Sequence, residues 1–207
     1  MQILTEREAE NFLEKKGFPI AKRIFADNLE ETIKAVKKIK FPLVLKICSS
    51  KILHKSDVNG VRVGIKSFGE LKQSFGELKE IKNFEGVIVQ EYIEGQLVIT
   101  GLKKDSTFGP TLLFGLGGIF TEIIKDVSFR VSPINKKDSF EMIKELRSYK
   151  ILEGVRGQQC VNFNSISEVL LKLSNLSKNY DIQELDINPL IVNEKFSKIV
   201  DARIVFN

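Results

Sequence analysis

Along its whole length the chain alternates between segments with a helical apolar period and short strand-like apolar runs, which limits its possible folds more than any other feature. Residues 4–16 read as a helix capped by Thr5, with Ala9, Phe12 and Leu13 on one face and Gly17 and Pro19 as its stop. A short strand is expected at 21–25. Residues 28–40 give a second amphipathic helix with Leu29, Ile33, Val36 and Ile39 in its stripe. After the breaker Pro42 comes LVLKICSS, residues 43–50, a buried strand interrupted by one charge, and then a strand at 61–65. The stretch SFGELKQSFGELKE writes one unit twice and puts Phe68, Leu71, Phe75 and Leu78 at a/d spacing. Two heptads are too few for a stable zipper, so this is a helix packed on a sheet. Strands follow at 86–90, 97–102 and 111–116, helices at 139–148 and 165–178, and strands at 184–192 and 198–205. The pattern implies an α+β protein acting as one functional unit over 1–207. Its two α/β subdomains, about 20–90 and 91–207, are expected to border a cleft, with the helix in 1–19 packing on the second.

Composition excludes several classes. With 43% hydrophobic residues among 207, the chain can bury a real core. It has no apolar run of about eighteen residues, so no membrane span is expected. The opening MQILTEREAENFLEKK is charged from Glu6 onward and lacks a signal-type apolar core. Cys48 and Cys160 lie far apart without CxxC spacing and read as two buried, reduced thiols, pointing to a cytoplasmic protein. The net charge of +5 is spread through both signs along the chain, and no helix-turn-helix, zinc-finger or RNP-type segment accompanies it. Nucleic acid is therefore not an expected partner, whereas a polyanionic small molecule suits the basic excess.

Four groups of residues could carry chemistry. Lys46, alone in an apolar strand, reads by itself slightly more readily as a snorkelling or ion-paired lysine than as a point charge for a nucleotide phosphate. The only histidine, His54, lies in the polar stretch SSKILHKSDVNGV. Lys51, Lys55, Ser49, Ser50 and Ser56 surround it with phosphate donors, and Asp57 could fix its tautomer. A neutral imidazole nitrogen is a competent phosphoryl acceptor. A metal site built on several histidines is excluded.

The third group is FGLGGIFTEIIKD. Its glycines form neither GxGxxG nor a P-loop, yet such a turn before a helix-like segment can offer backbone N–H groups to phosphate; a plain glycine-rich bend is the other reading. The fourth is ELDINPL with VDAR. Asp186 and Asn188 share a strand face, and Asp201 joins them if the terminal strands pair. Oxygen donors of this kind suit Mg²⁺ completed by phosphates and water, although each could also be a polar strand end near Pro189.

Taken together, FPLVLKICSSKILHKSDVNGV, VIVQEYIEG, FGPTLLFGLGGIFTEIIKDVSFRVSPI, LEGVRG and ELDINPL with DAR resemble the ATP-grasp β subunit of ADP-forming acetate–CoA ligases, within the succinyl-CoA synthetase superfamily. The likeness extends over nearly all of the chain. It implies an ATP-grasp fold, with ATP or ADP in the cleft between subdomains. Lys46 would contact the nucleotide phosphates, and the strand end Gln90–Glu91 with Tyr92, Ile93 and Glu94 would receive adenine and ribose; Gly117 and Gly118 of the glycine turn are the candidates for backbone contact with the nucleotide. Asn188 and Asp201 would hold Mg²⁺, with Asp186 as a further ligand. His54, in HKSD, would carry a phosphoryl group between the nucleotide and a CoA-binding α subunit in an α₂β₂ assembly. The chain departs from the family at Leu97, where an acidic residue is common, so that Glu94 is left to contact ribose. Two other readings predict different behaviour: a stand-alone ATP-grasp carboxylate ligase, and a non-catalytic nucleotide-binding subunit.

Overall fold

The computed structural model describes residues 1–52, 55–118, 125–155, 157 and 159–207. The first half contains β1 (Gln2–Ile3), α1 (Glu6–Lys15), β2 (Arg23–Ala26), α2 (Leu29–Ile39), β3 (Leu43–Cys48), β4 (Val61–Ile65), α3 (Phe68–Lys79) and β5 (Gly86–Glu91). The long strands β6 (Gln96–Asp105) and β7 (Gly109–Leu116) follow, then β8 (Val127–Val131), α4 (Lys136–Lys144), α5 (Tyr149–Glu153) and α6 (Phe163–Asn179). The chain finishes with β9 (Ile182–Val192), β10 (Ser197–Ile199) and β11 (Ala202–Phe206). These elements form two compact units, residues 21–93 and residues 1–20 with 94–207.

In the smaller unit, the Asn28 side chain accepts the Glu31 N–H at 2.9 Å to start α2, and Ser67 accepts that of Glu70 at 3.2 Å to start α3. Its sheet is antiparallel in the order β2-β5-β3-β4. Leu43, Leu45 and Ile47 of β3 and Val87 and Val89 of β5 pack with Ala35, Val36, Leu71, Phe75 and Leu78 of the two helices. Strand parity sends Val44, Lys46, Ile88 and Gln90 to the other face. The duplicated heptad thus buries Leu71, Phe75 and Leu78, while Phe68, 49% exposed, stacks edge-on against Phe41.

The larger unit is a seven-stranded antiparallel sheet in the order β1-β11-β9-β6-β7-β8, with β10 also on β9. One face carries Val98, Leu102, Phe114, Leu185, Ile187 and Ile204, packed with Leu13 of α1, Met142 and Ile143 of α4, and Ile166, Leu170 and Leu173 of α6. Helix α1 opens with a capping box, in which Glu8 Oε2 accepts the Thr5 N–H at 2.8 Å and Thr5 Oγ1 accepts that of Glu8. On the far face the register sets Arg203, Asp186, Gly101, Leu113 and Phe129 in one row across β11, β9, β6, β7 and β8.

Several elements differ from the sequence reading. The helix expected at 139–148 is α4, starting three residues earlier because Asn135 and Asp138 form a capping box of a rarer composition. The single strand expected at 198–205 is two strands, β10 and β11, each paired with β9 and broken at Val200 and Asp201. Strands β1 and β8 and helix α5 have no counterpart in that reading; each is five residues or shorter. Cys160 is exposed and Cys48 half-buried, so neither is the fully buried thiol expected. The helix-like segment after the glycine turn lies outside the described residues. Among the described residues no helix is long and apolar enough to cross a membrane.

Candidate functional site

Lys46 sits in mid-strand and is 5% exposed. Leu45 and Ile47 on either side enter the helix-backed core, so Lys46 faces the other way. Across the register from it and from Val44 stand Ile88 and Gln90. Gln90, which the family likeness pairs with Glu91 at the strand end, is 1% exposed and lies two residues along β5 from Ile88, on the same face. Glu91 is engaged with its own unit: Oε1 accepts the Lys22 N–H at 2.8 Å, and Glu91 N–H donates to the Lys22 carbonyl at 2.9 Å. Tyr92 and Ile93 are half-buried. Glu94 is exposed, and its carbonyl accepts Asn193 Nδ2 at 3.1 Å.

His54 lies outside the described residues, but the chain on either side is fixed. On the N-terminal side, Glu85 accepts the Ser50 N–H at 3.0 Å and the Ser50 hydroxyl at 2.6 Å. These bonds, the hydroxyl's first, hold the Glu85 carboxyl below its ordinary range. The Ser50 hydroxyl, expected to be a phosphate donor, is thus committed to Glu85, and Ser49 Oγ accepts the Lys51 N–H at 3.1 Å. On the C-terminal side, a 3-10 turn at Lys55–Val58 leads into Gly60, whose N–H donates to the Lys55 carbonyl at 2.7 Å. A Cβ on Gly60 would lie 2.5 Å from the Ile47 side chain, so only glycine lets the turn close on β3.

The two glycines of the GLGG turn differ. Gly117 N–H donates to the Leu97 carbonyl at 2.7 Å, a bond made within the turn. A Cβ there would press on Leu97 at 3.1 Å. Gly118 is exposed and adopts φ +69, and a Cβ at its position would meet no atom within 4 Å. Eight residues on, Asp126 is buried and receives the Arg147 N–H at 2.9 Å, the Ser148 N–H at 2.8 Å and the Ser148 hydroxyl. Burial pushes its carboxyl up, but those hydrogen bonds outweigh it and hold the group below the ordinary Asp range. The sequence signal for Asp126 was weak, an acid at the end of a glycine-rich stretch that also holds Glu122.

At the other end of the chain, β9 and β11 do pair. Asn188 N–H donates to the Asp201 carbonyl at 3.2 Å, and the next pair on the same face is Asp186 with Arg203. Ile187, Ala202 and Ile204 go to the core, so Asp186, Asn188, Asp201 and Arg203 share the far face. Asn188 is exposed, and Asp186 and Asp201 are half-buried. Two carboxylates and an amide oxygen fit Mg²⁺, which keeps waters and phosphate oxygens in its shell. Among the described residues no group of three His, Cys, Asp or Glu forms a closed metal cage.

A profile of the ATP-grasp domain matches residues 1–206. The β subunit of acetate–CoA ligase (ADP-forming) I from Pyrococcus furiosus is 41% identical over 211 residues, covering 98% of this chain and 91% of that one. Acetate–CoA ligase (ADP-forming) II from Archaeoglobus fulgidus is 42% identical over 204 residues, 98% of this chain but 30% of that protein, so this chain spans under a third of that relative. A structure of the dinucleotide-forming acetyl-coenzyme A synthetase 1 of Ca. Korarchaeum cryptofilum superposes with a TM-score of 0.94 at 40% identity, over 100% of this chain and 94% of that one. That protein holds coenzyme A and Ca-AMPCP. In a second structure of it, at TM-score 0.86, coenzyme A and Mg-AMPPCP are bound and its phosphohistidine segment points towards the nucleotide-binding site. With a profile matched almost end to end and a relative covered almost completely, the chain belongs to the ATP-grasp family, among the β subunits of ADP-forming acetate–CoA ligases.

Proposed function

We propose that this chain is the nucleotide-binding subunit of an ADP-forming acyl-CoA synthetase, catalysing acyl-CoA + ADP + phosphate ⇌ carboxylate + CoA + ATP with a CoA-binding α subunit, as an α₂β₂ assembly in the cytoplasm. The observation that carries this reading is the match to a separate β subunit of nearly the same extent. His54 is the carrier. It receives the phosphoryl group from the α subunit and passes it to ADP. Run in reverse, an unprotonated imidazole nitrogen forms the N–P bond as the P–O bond to ADP breaks. The homologous synthetase, with its phosphohistidine segment directed at its nucleotide site, supports a carrier in this stretch.

Lys46 supplies positive charge to the phosphates, and the segment from Glu91 through Glu94 takes adenine and ribose. Gly118 offers the backbone N–H that Gly117 does not. Asn188 and Asp201, with Asp186, hold Mg²⁺, which neutralises charge on phosphate oxygens when bound.

Incubation with γ-labelled ATP and Mg²⁺ tests the carrier. An acid-labile, alkali-stable label is expected on the wild-type chain and none on His54→Ala. An unlabelled wild-type chain that still binds ATP would leave the non-catalytic reading. Label surviving in His54→Ala would remove His54 from the reaction.

A further inference from the structure

The far face of the large sheet offers more than a metal needs. Arg203 stands directly across from Asp186, on the same face as Asn188 and Asp201. Beyond Asp186 in that row comes Gly101, where a Cβ would lie 2.3 Å from the Leu185 carbonyl oxygen. This bare position floors a cavity of about 290 Å³, whose walls include Asp186, Glu184, Lys103, Leu113 and Phe129.

Arg203 Nε is buried, and no acceptor among the described residues hydrogen-bonds it. A buried donor on a cation is costly to leave unmet, and native chains keep one chiefly where something outside the protein supplies the oxygen. Carboxylates and an amide account for a divalent cation, but a guanidinium among them does not serve that end. A metal-bound polyphosphate calls for both: carboxylates take the metal, and a forked cation takes the phosphate oxygens that the metal leaves.

From this we propose that Arg203 is a phosphate-binding residue, its guanidinium donating to a non-bridging β- or γ-phosphate oxygen of the metal-bound nucleotide. The proposal rests on the nucleotide-binding reading above and adds a residue to it. The competing role is mechanical: Arg203 could merely brace Asp186 and act through the metal.

Calorimetric titration of the full chain with ATP, ADP and AMP, at low and at high Mg²⁺, separates the two. Arg203→Met keeps the apolar stem; it should lose about tenfold or more in ATP and ADP affinity at both Mg²⁺ levels, a charge-assisted bond being of that order. AMP, lacking β- and γ-phosphates, should bind it within about twofold of wild type. Arg203→Lys, which keeps the charge without the fork, should fall between. Unchanged ATP and ADP binding, an equal loss for AMP, or a loss that high Mg²⁺ restores would each overturn the proposal. If Arg203→Met does not fold, as read by its melting temperature, the Lys variant decides by the same criteria. A wild-type chain that binds none of the three would refute the nucleotide reading itself, and the Arg203 proposal with it.

Discussion

The two faces of the seven-stranded sheet are built from alternate residues of the same strands, yet they answer to different constraints. On the core face, Val98, Leu102, Phe114, Leu185 and Ile187 meet α1, α4 and α6, and any well-packed apolar side chain of the right volume would serve. On the far face, Gly101, Asp186 and Arg203 sit in one row, where each position needs a particular residue type. Core-face residues are redundant and many; those of the far face are few and singular. Damage to the first should therefore appear as lost stability, and damage to the second as lost binding.

The largest expected effect is on the core face. Phe114 is fully buried, and Phe114→Ala should cost about 3–5 kcal/mol, read as a lower denaturant midpoint. The fraction that remains folded should bind nucleotide with nearly wild-type affinity. A selective loss of affinity at unchanged stability would break the division between the faces.

Next come the far-face acids. Asp201→Ala removes no core contact, so its melting temperature should stay close to wild type, while affinity for Mg²⁺-bound ATP falls about tenfold or more, roughly 1.4 kcal/mol. Gly101→Ala lies on the boundary. Its new methyl must push the Leu185 carbonyl from 2.3 Å, an overpacking cost of about 1–3 kcal/mol, and it also narrows the cavity beside Asp186. Both stability and binding should drop; a purely structural loss would mean that the cavity has no role.

Asp126 supplies a smaller test, with pH as the variable. Its folded pKa is lowered, so the carboxylate stabilises the fold above the ordinary Asp value and loses that contribution as pH falls from there through the folded pKa. Asp126→Asn should cost about 1–2 kcal/mol near neutrality. The gap between wild type and variant should shrink below about pH 3.9, where the unfolded carboxyl becomes protonated. A gap constant across the acid range would rule out the ionised carboxylate as its source.

The contrast between the faces also explains what was legible in the sequence. Apolar periods announced α1, α2, α3 and α6 and most long strands, because burying one stripe or one parity is enough to fix an element. The same periods were silent on α5 and β8, too short for a period to register, and on the break at Val200 and Asp201. Of the site, Asp186 and Asn188 could be paired by parity alone. Adding Asp201 required the terminal strands to pair, and Arg203 emerged only with the register. The family likeness named Gln90, but that it shares a face with Lys46 emerged only with the register of β3 and β5. The glycine turn offered Gly117 for phosphate binding, but whether its N–H bonds Leu97 depended on how the chain folds back, which no local pattern records.

The smallest expected effect belongs to a surface with neither duty. Gly76 is on the exposed side of α3, within the second copy of the duplicated unit, and a Cβ there would have no atom within 4 Å. Glycine in a helix interior costs roughly 0.5–1 kcal/mol relative to alanine, through the freedom it keeps in the unfolded chain. Gly76→Ala should therefore raise stability by about that much, as a higher denaturant midpoint at unchanged slope. Nucleotide affinity should not move, because the position is exposed and takes no part in the α3 core. A loss of stability instead would mean that something packs against this side of α3 in the working assembly, giving a third surface a constraint of its own.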